Sequence, residues 1–588
     1  MVMDPDSGEG PITVRTRSFA IVVAATVTAA LTLALLVFHD SGTSAQAAGP
    51  DPAGTDTTTT QKSQTPKTKP NIVIVMADDM RADDLRFMPS LRRLVTDRGL
   101  KFRNSFSPYP LCCPSRASFL SGQYAHNHKV FNNDAPFGFG SFDDSRTVAT
   151  ALHDAGYNTA FVGKYLNNYG IDSSRATGEH SWNYVPAGWT DWYGAPQRPR
   201  RVHDRFPAGG PYNYFHTIFN VNGRIDDSHE GEYQTSVIGR FSRELVTRYS
   251  RTDKPFFLYL SALAPHYGEP HESDDVDSNR RPDGRVFEFE TPARPDWVKG
   301  RFDDEVRRSA GLPADGGPSE ADVGDKPQAF QYPELGPREQ HLATALTRQR
   351  AESIAVLDTQ VRQLVQTLRE RDELDETVFV FTSDNGYFLG EHRFRNGKRK
   401  AYEPSIRVPL VIAGPGIPHG IRNDPSTTPG VTATILDLAG AKAPRTADGQ
   451  SLVPSFAADR GWTAPVVTEG LVGPSTNVPD GRKPPGFDDA RTTIGIRTAR
   501  YKLIRDVSGT VELYDLDVDP NELESVAEDP DYRAIRSELT ELWHTYKDCS
   551  GPACTVPLPA NLAMSPGQTT ASTKAQSEGV LARYGHVF

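Results

Sequence analysis

Cysteine is scarce. The 588 residues hold four, too few to staple a chain of this length as a disulfide scaffold. Positive charge is in deficit too. Lysine and arginine number 64 against 75 acidic residues, a formal net charge of -11, which argues against the basic face of a general nucleic-acid binder. If the ligand is an anion, cationic groups must be gathered at one place. Long hydrophobic runs are nearly missing. The run from Phe19 to Phe38 follows Arg15 and Arg17 and precedes Ala45-Gln46-Ala47-Ala48, a signal-peptidase pattern. At about 20 residues it is also long enough to span a bilayer. Residues 1–47 therefore read as a signal peptide or a membrane anchor, with the protein secreted or held at the outer face of the cytoplasmic membrane. Residues 48–69, rich in Thr, Gly, Ala, Pro and Lys, read as a disordered linker.

Ordered sequence begins at Asn71-Ile72-Val73-Ile74-Val75-Met76, a β-branched run suited to a strand buried on both faces. It ends in Ala77-Asp78-Asp79. Carboxylates at the carboxyl edge of a buried strand occupy the usual ligand position of an open α/β sheet, and two side by side repel unless a cation neutralises them. An ordinary acidic loop has the same composition. Further strands are expected at 158–162, before Gly163-Lys164-Tyr165-Leu166-Asn167, at 254–261, before Ala264-Pro265-His266, and at 377–381, before Ser383-Asp384-Asn385-Gly386. Asp-Asn-Gly alone is a turn signal. His126 and His128 have no third nitrogen or sulfur ligand nearby, which weighs against a transition-metal site. Residues 186–224 read as long loops carrying aromatics, and 269–337 as an insertion that lines or covers a site. A helix over 339–371 shows a core-facing stripe from Leu342 to Leu368. Cys549 and Cys554 bracket Ser-Gly-Pro-Ala and are expected to pair as a disulfide outside the cytoplasm.

The most informative stretch is Leu111-Cys112-Cys113-Pro114-Ser115-Arg116, followed by Leu120-Ser121-Gly122. Proline suits a first helical turn, so Cys112 falls near a helix N-terminus, where an anion is favoured, with Arg116 four residues on. A buried cysteine pair at a helix start is the plain alternative. The full spacing resembles the signature of the type I, formylglycine-dependent sulfatases. Gly163-Lys164, Pro265-His266, Ser383-Asp384-Asn385-Gly386, Lys398-x-x-x-Tyr402-Glu403 and Glu512-Leu513-Tyr514-Asp515-Leu516 resemble further elements of that family, in its order.

That resemblance implies an α/β, alkaline-phosphatase-like sandwich with a central, mostly parallel sheet over 70–455. A small C-terminal α+β domain with an antiparallel sheet follows over 456–550, then a loosely ordered tail over 551–588. It implies a sulfuric ester hydrolase in which Cys112 becomes Cα-formylglycine, through a formylglycine-generating enzyme. Asp78, Asp79, Asp384 and Asn385, with position 112, would bind Ca²⁺ or alternatively Mg²⁺; oxygen donors select such hard cations. Lys164 and Lys398 would bind the sulfate, Arg116 hold the nucleophile and His266 assist the leaving group; Lys400 is the rival of Lys398 and fits the spacing to Tyr402 less well. His392 lies seven residues past Asn385, in what reads as a mobile loop. Many sulfatases carry a histidine where this chain has Leu166. The Gly-Lys-Tyr-Leu-Asn form and the His126-Asn127-His128 segment resemble the N-acetylglucosamine-6-sulfatase branch, which would place His126, His128 and Asn167 in the substrate pocket and make a sulfated glycan or small sulfate ester the substrate. An arylsulfatase, a phosphonate or phosphodiester hydrolase, and an exported glycan-binding protein are the alternatives.

Overall fold

The computed structural model describes residues 69–198, 209–276, 278–470 and 491–587. The signal or anchor segment and the linker up to residue 68 lie outside the described residues. Among the described residues no helix is long and apolar enough to cross a membrane.

Alternation along Asn71–Ala77 sets the layering. Ile72, Ile74 and Met76 enter one core with helices Cys112–Ser121, Val148–Asp154 and Thr428–Leu438. Val73, Val75 and Ala77 enter another with helices Gln234–Tyr249 and Pro337–Glu370. Successive side chains leave a strand on opposite faces, so a continuous apolar run demands cover on both.

The sheet has ten strands, in the order Gly420–Thr427, Leu100–Phe106, Leu410–Ala413, Thr377–Ser383, Asn71–Ala77, Phe256–Ser261, Asn158–Lys164, Asp191–Ala195, Phe219–Val221, Arg224–Asp226. The five from Thr377–Ser383 to Asp191–Ala195 are mutually parallel. Their register is level: Ala77 pairs with Ser383, Met76 with Ser261 and Gly163 with Ser261. Residues just past these strands therefore emerge together at one edge.

Two regions differ from expectation. The stretch read as loops over 186–224 contains two strands that extend the sheet and the first residue of a third, and Gly420–Thr427 adds an edge strand parallel to Leu100–Phe106. Both are short or polar and give little periodic signal.

A separate four-stranded antiparallel sheet runs Val466–Gly470, Thr493–Arg497, Tyr501–Asp506, Val511–Asp515. Helix Arg533–Tyr546 packs on it, with Trp543 Nε1 donating to the Ile494 carbonyl at 3.1 Å. The expected loose tail is corrected. Pro566–Tyr584 is a helix, with a capping box between Ser565 and Gln568. Its buried face is polar rather than apolar: Thr573 accepts from Asn104 Nδ2 at 2.9 Å and Gln576 from Arg497 Nη2 at 3.1 Å.

Candidate active site

The strand ends converge on one buried cluster. Cys112 opens its helix, and its Sγ lies 3.1 Å from Asp78 Oδ1, 3.9 Å from Asp79 Oδ1 and 2.8 Å from Lys398 Nζ. Lys398 also pairs with Asp79, and Lys164 with Asp78. Gly163 permits the second pairing: its φ is +115°, and a Cβ there would collide with the Ser261 carbonyl oxygen.

Arg116 ties the cluster together. Its Nη2 reaches Asp78 Oδ2 at 3.0 Å and its Nε reaches Asp384 Oδ2 at 2.8 Å, while Nη1 donates to the Lys164 carbonyl at 2.8 Å and to Ser261 Oγ at 2.5 Å. Asp384 Oδ1 accepts from the Asp79 and Asn385 amides at 3.0 and 2.8 Å. Asn385 Nδ2 donates to Asp79 Oδ1 at 2.7 Å. Asp79 Oδ2 and Asn385 Oδ1 are buried and have no hydrogen-bond partner among the described residues. Buried oxygens of that kind are costly unless something meets them. Potential ligand atoms of Asp78, Asp79, Cys112 and His266 lie within 4.8 Å of one another; the two carboxylates and the unmet Asn385 oxygen are donors that fit a hard cation, whereas the Cys112 sulfur and the His266 nitrogen are not.

The electrostatics are consistent. Burial opposes ionisation of Asp78, but Lys164 and Arg116 outweigh it and hold the carboxyl well below its usual range. Burial and the Asp78 charge push Asp384 up to about 6. Burial, then Asp78, push the Cys112 thiol well up. Burial takes His266 down to about 4 despite Asp79 and Asp78. The neutral ring donates from Nδ1 to the Tyr267 carbonyl at 2.8 Å, leaving Nε2 3.7 Å from Asp79 Oδ2. Asn167 stands at the rim, its Nδ2 donating to Tyr212 Oη at 2.6 Å; the Tyr212 ring lies 4.8 Å from Lys164 Nζ and 5.2 Å from the His266 ring.

A family model described as Sulfatase matches residues 70–441. The chain belongs to the sulfatase family. It is a sulfuric ester hydrolase with an α/β sandwich and a small C-terminal antiparallel domain. A second model, N-sulphoglucosamine sulphohydrolase C-terminal, matches residues 483–548 of this sulfatase. The N-acetylglucosamine-6-sulfatase of Capra hircus is 28% identical over 528 residues, covering 83% of this chain and 85% of that protein. The arylsulfatase of Volvox carteri is 29% identical, covering 83% of this chain and 76% of that protein. A solved structure described as a complex with its substrate D-glucosamine-2-N,6-O-disulfate aligns with a TM-score of 0.56 at 22% identity, over 81% of this chain and 97% of that one.

Other residues lie elsewhere in the sulfatase, or do other work, than their sequence context implied. His126 does not offer its ring to a pocket: Nδ1 meets Glu469 Oε1 at 3.0 Å and Nε2 meets the Cys549 carbonyl at 2.6 Å. His128 is buried between Ser118 Oγ at 2.9 Å and the Val130 amide at 3.1 Å. Both histidines fasten the segment after the Cys112 helix, and His126 joins it to the C-terminal sheet. His392 is not in a mobile loop; it is buried against Glu320 at 2.7 Å. Cys549 and Cys554 are disulfide-bonded.

Three contributors escaped sequence reasoning. Ser261 accepts from Arg116 and donates to the Lys164 carbonyl at 2.6 Å. Arg350, on helix Pro337–Glu370, donates to the Asp79 carbonyl, and Asp79 sits at φ +65°. The loop bearing Lys398 is anchored by the C-terminal sheet, through Tyr402 to Glu512 at 2.7 Å and Lys502 to the Ala401 carbonyl at 3.0 Å. Arg350 did leave a signal, a charge at the helical spacing between apolar Leu346 and Ile354.

Proposed function

We propose that this chain is an exported sulfatase that removes 6-O-sulfate from N-acetylglucosamine or a related sulfated glycan, with a Cα-formylglycine made from Cys112 as nucleophile. The carrying observation is the meeting of Asp78 and Lys398 at Cys112 Sγ, beside the unpartnered oxygens of Asp79 and Asn385. A thiol whose pKa is raised by burial is a poor nucleophile, which supports conversion of this side chain. The hydrated aldehyde would supply a hydroxyl in its place, and maturation would need a formylglycine-generating enzyme. Asp78, Asp79, Asp384 and Asn385 would hold a divalent cation, Ca²⁺ ahead of Mg²⁺, which neutralises charge on the sulfate oxygens and the nucleophile.

This chain's own residues do the rest. Lys164 and Lys398 bring two ammonium groups to the cluster, where they meet the remaining sulfate charge. Arg116 spans Asp78 and Asp384 and fixes their separation. His266 holds its Nε2 towards the cluster, where the ring in its imidazolium form would hand a proton to the departing sugar oxygen. Tyr212 and the 37% exposed Tyr267, stacked with centroids 6.3 Å apart, offer faces for a sugar ring at the mouth. The choice of glycan rests on the named relatives together with the Lys164-to-Asn167 segment.

Two measurements test this. Peptide mass spectrometry of natively produced protein should find the Cys112 peptide lighter by about 18 Da, the change from thiol to aldehyde. An unmodified Cys112 in active protein would sink the nucleophile. Parallel assays on an aryl sulfate, N-acetylglucosamine-6-sulfate and an aryl phosphodiester should show sulfate release from the first two, faster than diester cleavage. Preference for the diester would move the substrate class to phosphoryl esters.

A further inference from the structure

A second cationic site lies outside the catalytic cluster. A cavity of about 240 Å³ is lined by Arg307, Arg308, Gln340, His341, Thr344 and Arg348, well above the volume of one water. Three guanidinium groups in one cavity stand out in a chain of net charge -11. Little among the described residues balances them. Arg307 Nε donates to the Asp304 carbonyl at 3.2 Å, and Arg348 Nε to the Val306 carbonyl at 2.7 Å. The nearest carboxylate to Arg348 is Asp303 at 3.8 Å, and Asp303 is itself 61% exposed. Arg308 is the decisive residue: its Nε and Nη2 atoms are buried and have no hydrogen-bond partner among the described residues. Two adjacent N–H donors on one guanidinium edge match two oxygens of a tetrahedral oxyanion. These two groups are closed to solvent, so a bound anion meets them, and recovers the cost of leaving them unmet, once the guanidinium turns into the cavity that Arg308 lines.

We propose that this cavity is an oxyanion-binding site separate from the catalytic centre, taking a sulfo group of a sulfated glycan. The oxyanion assignment stands on the cavity alone; the glycan as its source rests on the proposed function. His341 and Arg348 share a helix with Arg350, which touches the Asp79 carbonyl. Residues 340 to 350 span about 15 Å of helix. Arg348 and Arg350 stand about 200° apart around that helix, so the cavity opens on the side away from Arg350 and takes its sulfo group independently of the catalytic cluster.

The test is calorimetry on the full chain carrying Cys112→Ala to stop turnover. Titrants are inorganic sulfate, a heparin-derived hexasaccharide and the same hexasaccharide desulfated. Arg308→Gln/Arg348→Gln should weaken binding of the sulfated hexasaccharide by about tenfold, the worth of one charge-assisted hydrogen bond. His341→Glu, at an exposed position on the lip, should do the same without disturbing buried structure. The desulfated chain should show no such difference. Loss of inorganic sulfate binding in parallel marks the free ion as a ligand as well; loss for the hexasaccharide alone marks the glycan sulfo group. Unchanged binding of both anions in the folded variants overturns the site. In the Cys112 background, aryl sulfate turnover should be the same with and without the pocket substitutions. Absence of all sulfatase turnover would remove the proposed function while leaving the calorimetry to decide the pocket.

Discussion

Arg350→Met isolates a residue that acts on the site without belonging to it. Arg350 is buried on helix Pro337–Glu370, donates to the Asp79 and Pro265 carbonyls, the latter at 3.3 Å, and stacks 4.3 Å over Tyr387. Asp79 occupies a left-handed conformation, φ +65°, which costs about 1–2 kcal/mol for a non-glycine residue unless its surroundings hold it. Methionine keeps the stem volume and drops the donors. A hydrogen bond from a charged group contributes about 1.5–3 kcal/mol. If that is spent on holding Asp79, kcat/KM on an aryl sulfate should fall by roughly 10- to 150-fold. The divalent cation concentration for half-maximal activity should rise in step, because the misplaced group is a proposed ligand. Arg350→Lys, which keeps one donor and the charge, should recover part of both. A purely structural role would lower the melting temperature and leave the cation requirement unchanged. A folded Arg350→Met protein with kcat/KM within about threefold of the parent would refute the argument.

Exhaustive chelation should abolish aryl sulfate turnover and lower the melting temperature, since a ligand held by the native state alone stabilises it; Ca²⁺ or Mg²⁺ should restore both, and full activity after chelation would remove the cation from the mechanism. The Glu469–His126 pair should give a pH signature. Burial opposes ionisation of Glu469, but His126 and Arg491 outweigh it and take the carboxyl from 4.5 down to about 2. Burial likewise opposes a charged His126, and Glu469 outweighs it, raising the imidazole above 6.5. The carboxylate's contribution, about 3 kcal/mol for a shift of that size, is present above pH 4.5 and lost towards pH 2. That of the imidazolium is present below pH 6.5 and lost as pH rises through its raised pKa. The melting-temperature gap between the parent and Glu469→Gln/His126→Gln should therefore be widest between about pH 4.5 and 6.5; a gap independent of pH contradicts the assignment. Cys549 and Cys554 are five residues apart, and closing so short a loop contributes about 2 kcal/mol on chain-entropy grounds; denaturant unfolding of the Cys549→Ala/Cys554→Ala protein should show a loss of that order, and no loss would mean the turn is held by other contacts.

The active-site loops were legible because their positions obey local rules. A β-branched run long enough to be buried on both faces becomes a central strand, and the residues just past its end land at the ligand edge of the sheet. That rule puts Asp78, Asp79, Lys164, His266, Asp384 and Asn385 past strand ends, and the resemblance to the sulfatases is what singled them out as candidates. The C-terminal helix was passed over because its buried face, Thr569, Ser572, Thr573 and Gln576 with Val580, is polar but for the valine, although Ser565-x-x-Gln568 is a start signal that needs no apolar stripe.

Residue types and spacing alone thus determined the layered sheet and put carboxylates at its strand ends, because strand burial is governed by near neighbours in the chain; the proposed nucleophile and cation ligands came from the resemblance to the sulfatases. Tertiary structure alone decided which way side chains of the same sequence context turn. His126 and His128 flank Asn127 within four residues of a short helix, yet one pairs with Glu469 and the other packs under Ser118, 343 and 10 residues away in sequence. Arg350 reaches Asp79 across 271 residues, and Lys398 depends on a sheet that begins at Val466. Such contacts join elements whose relative placement comes from packing of the whole chain, and no local pattern encodes them.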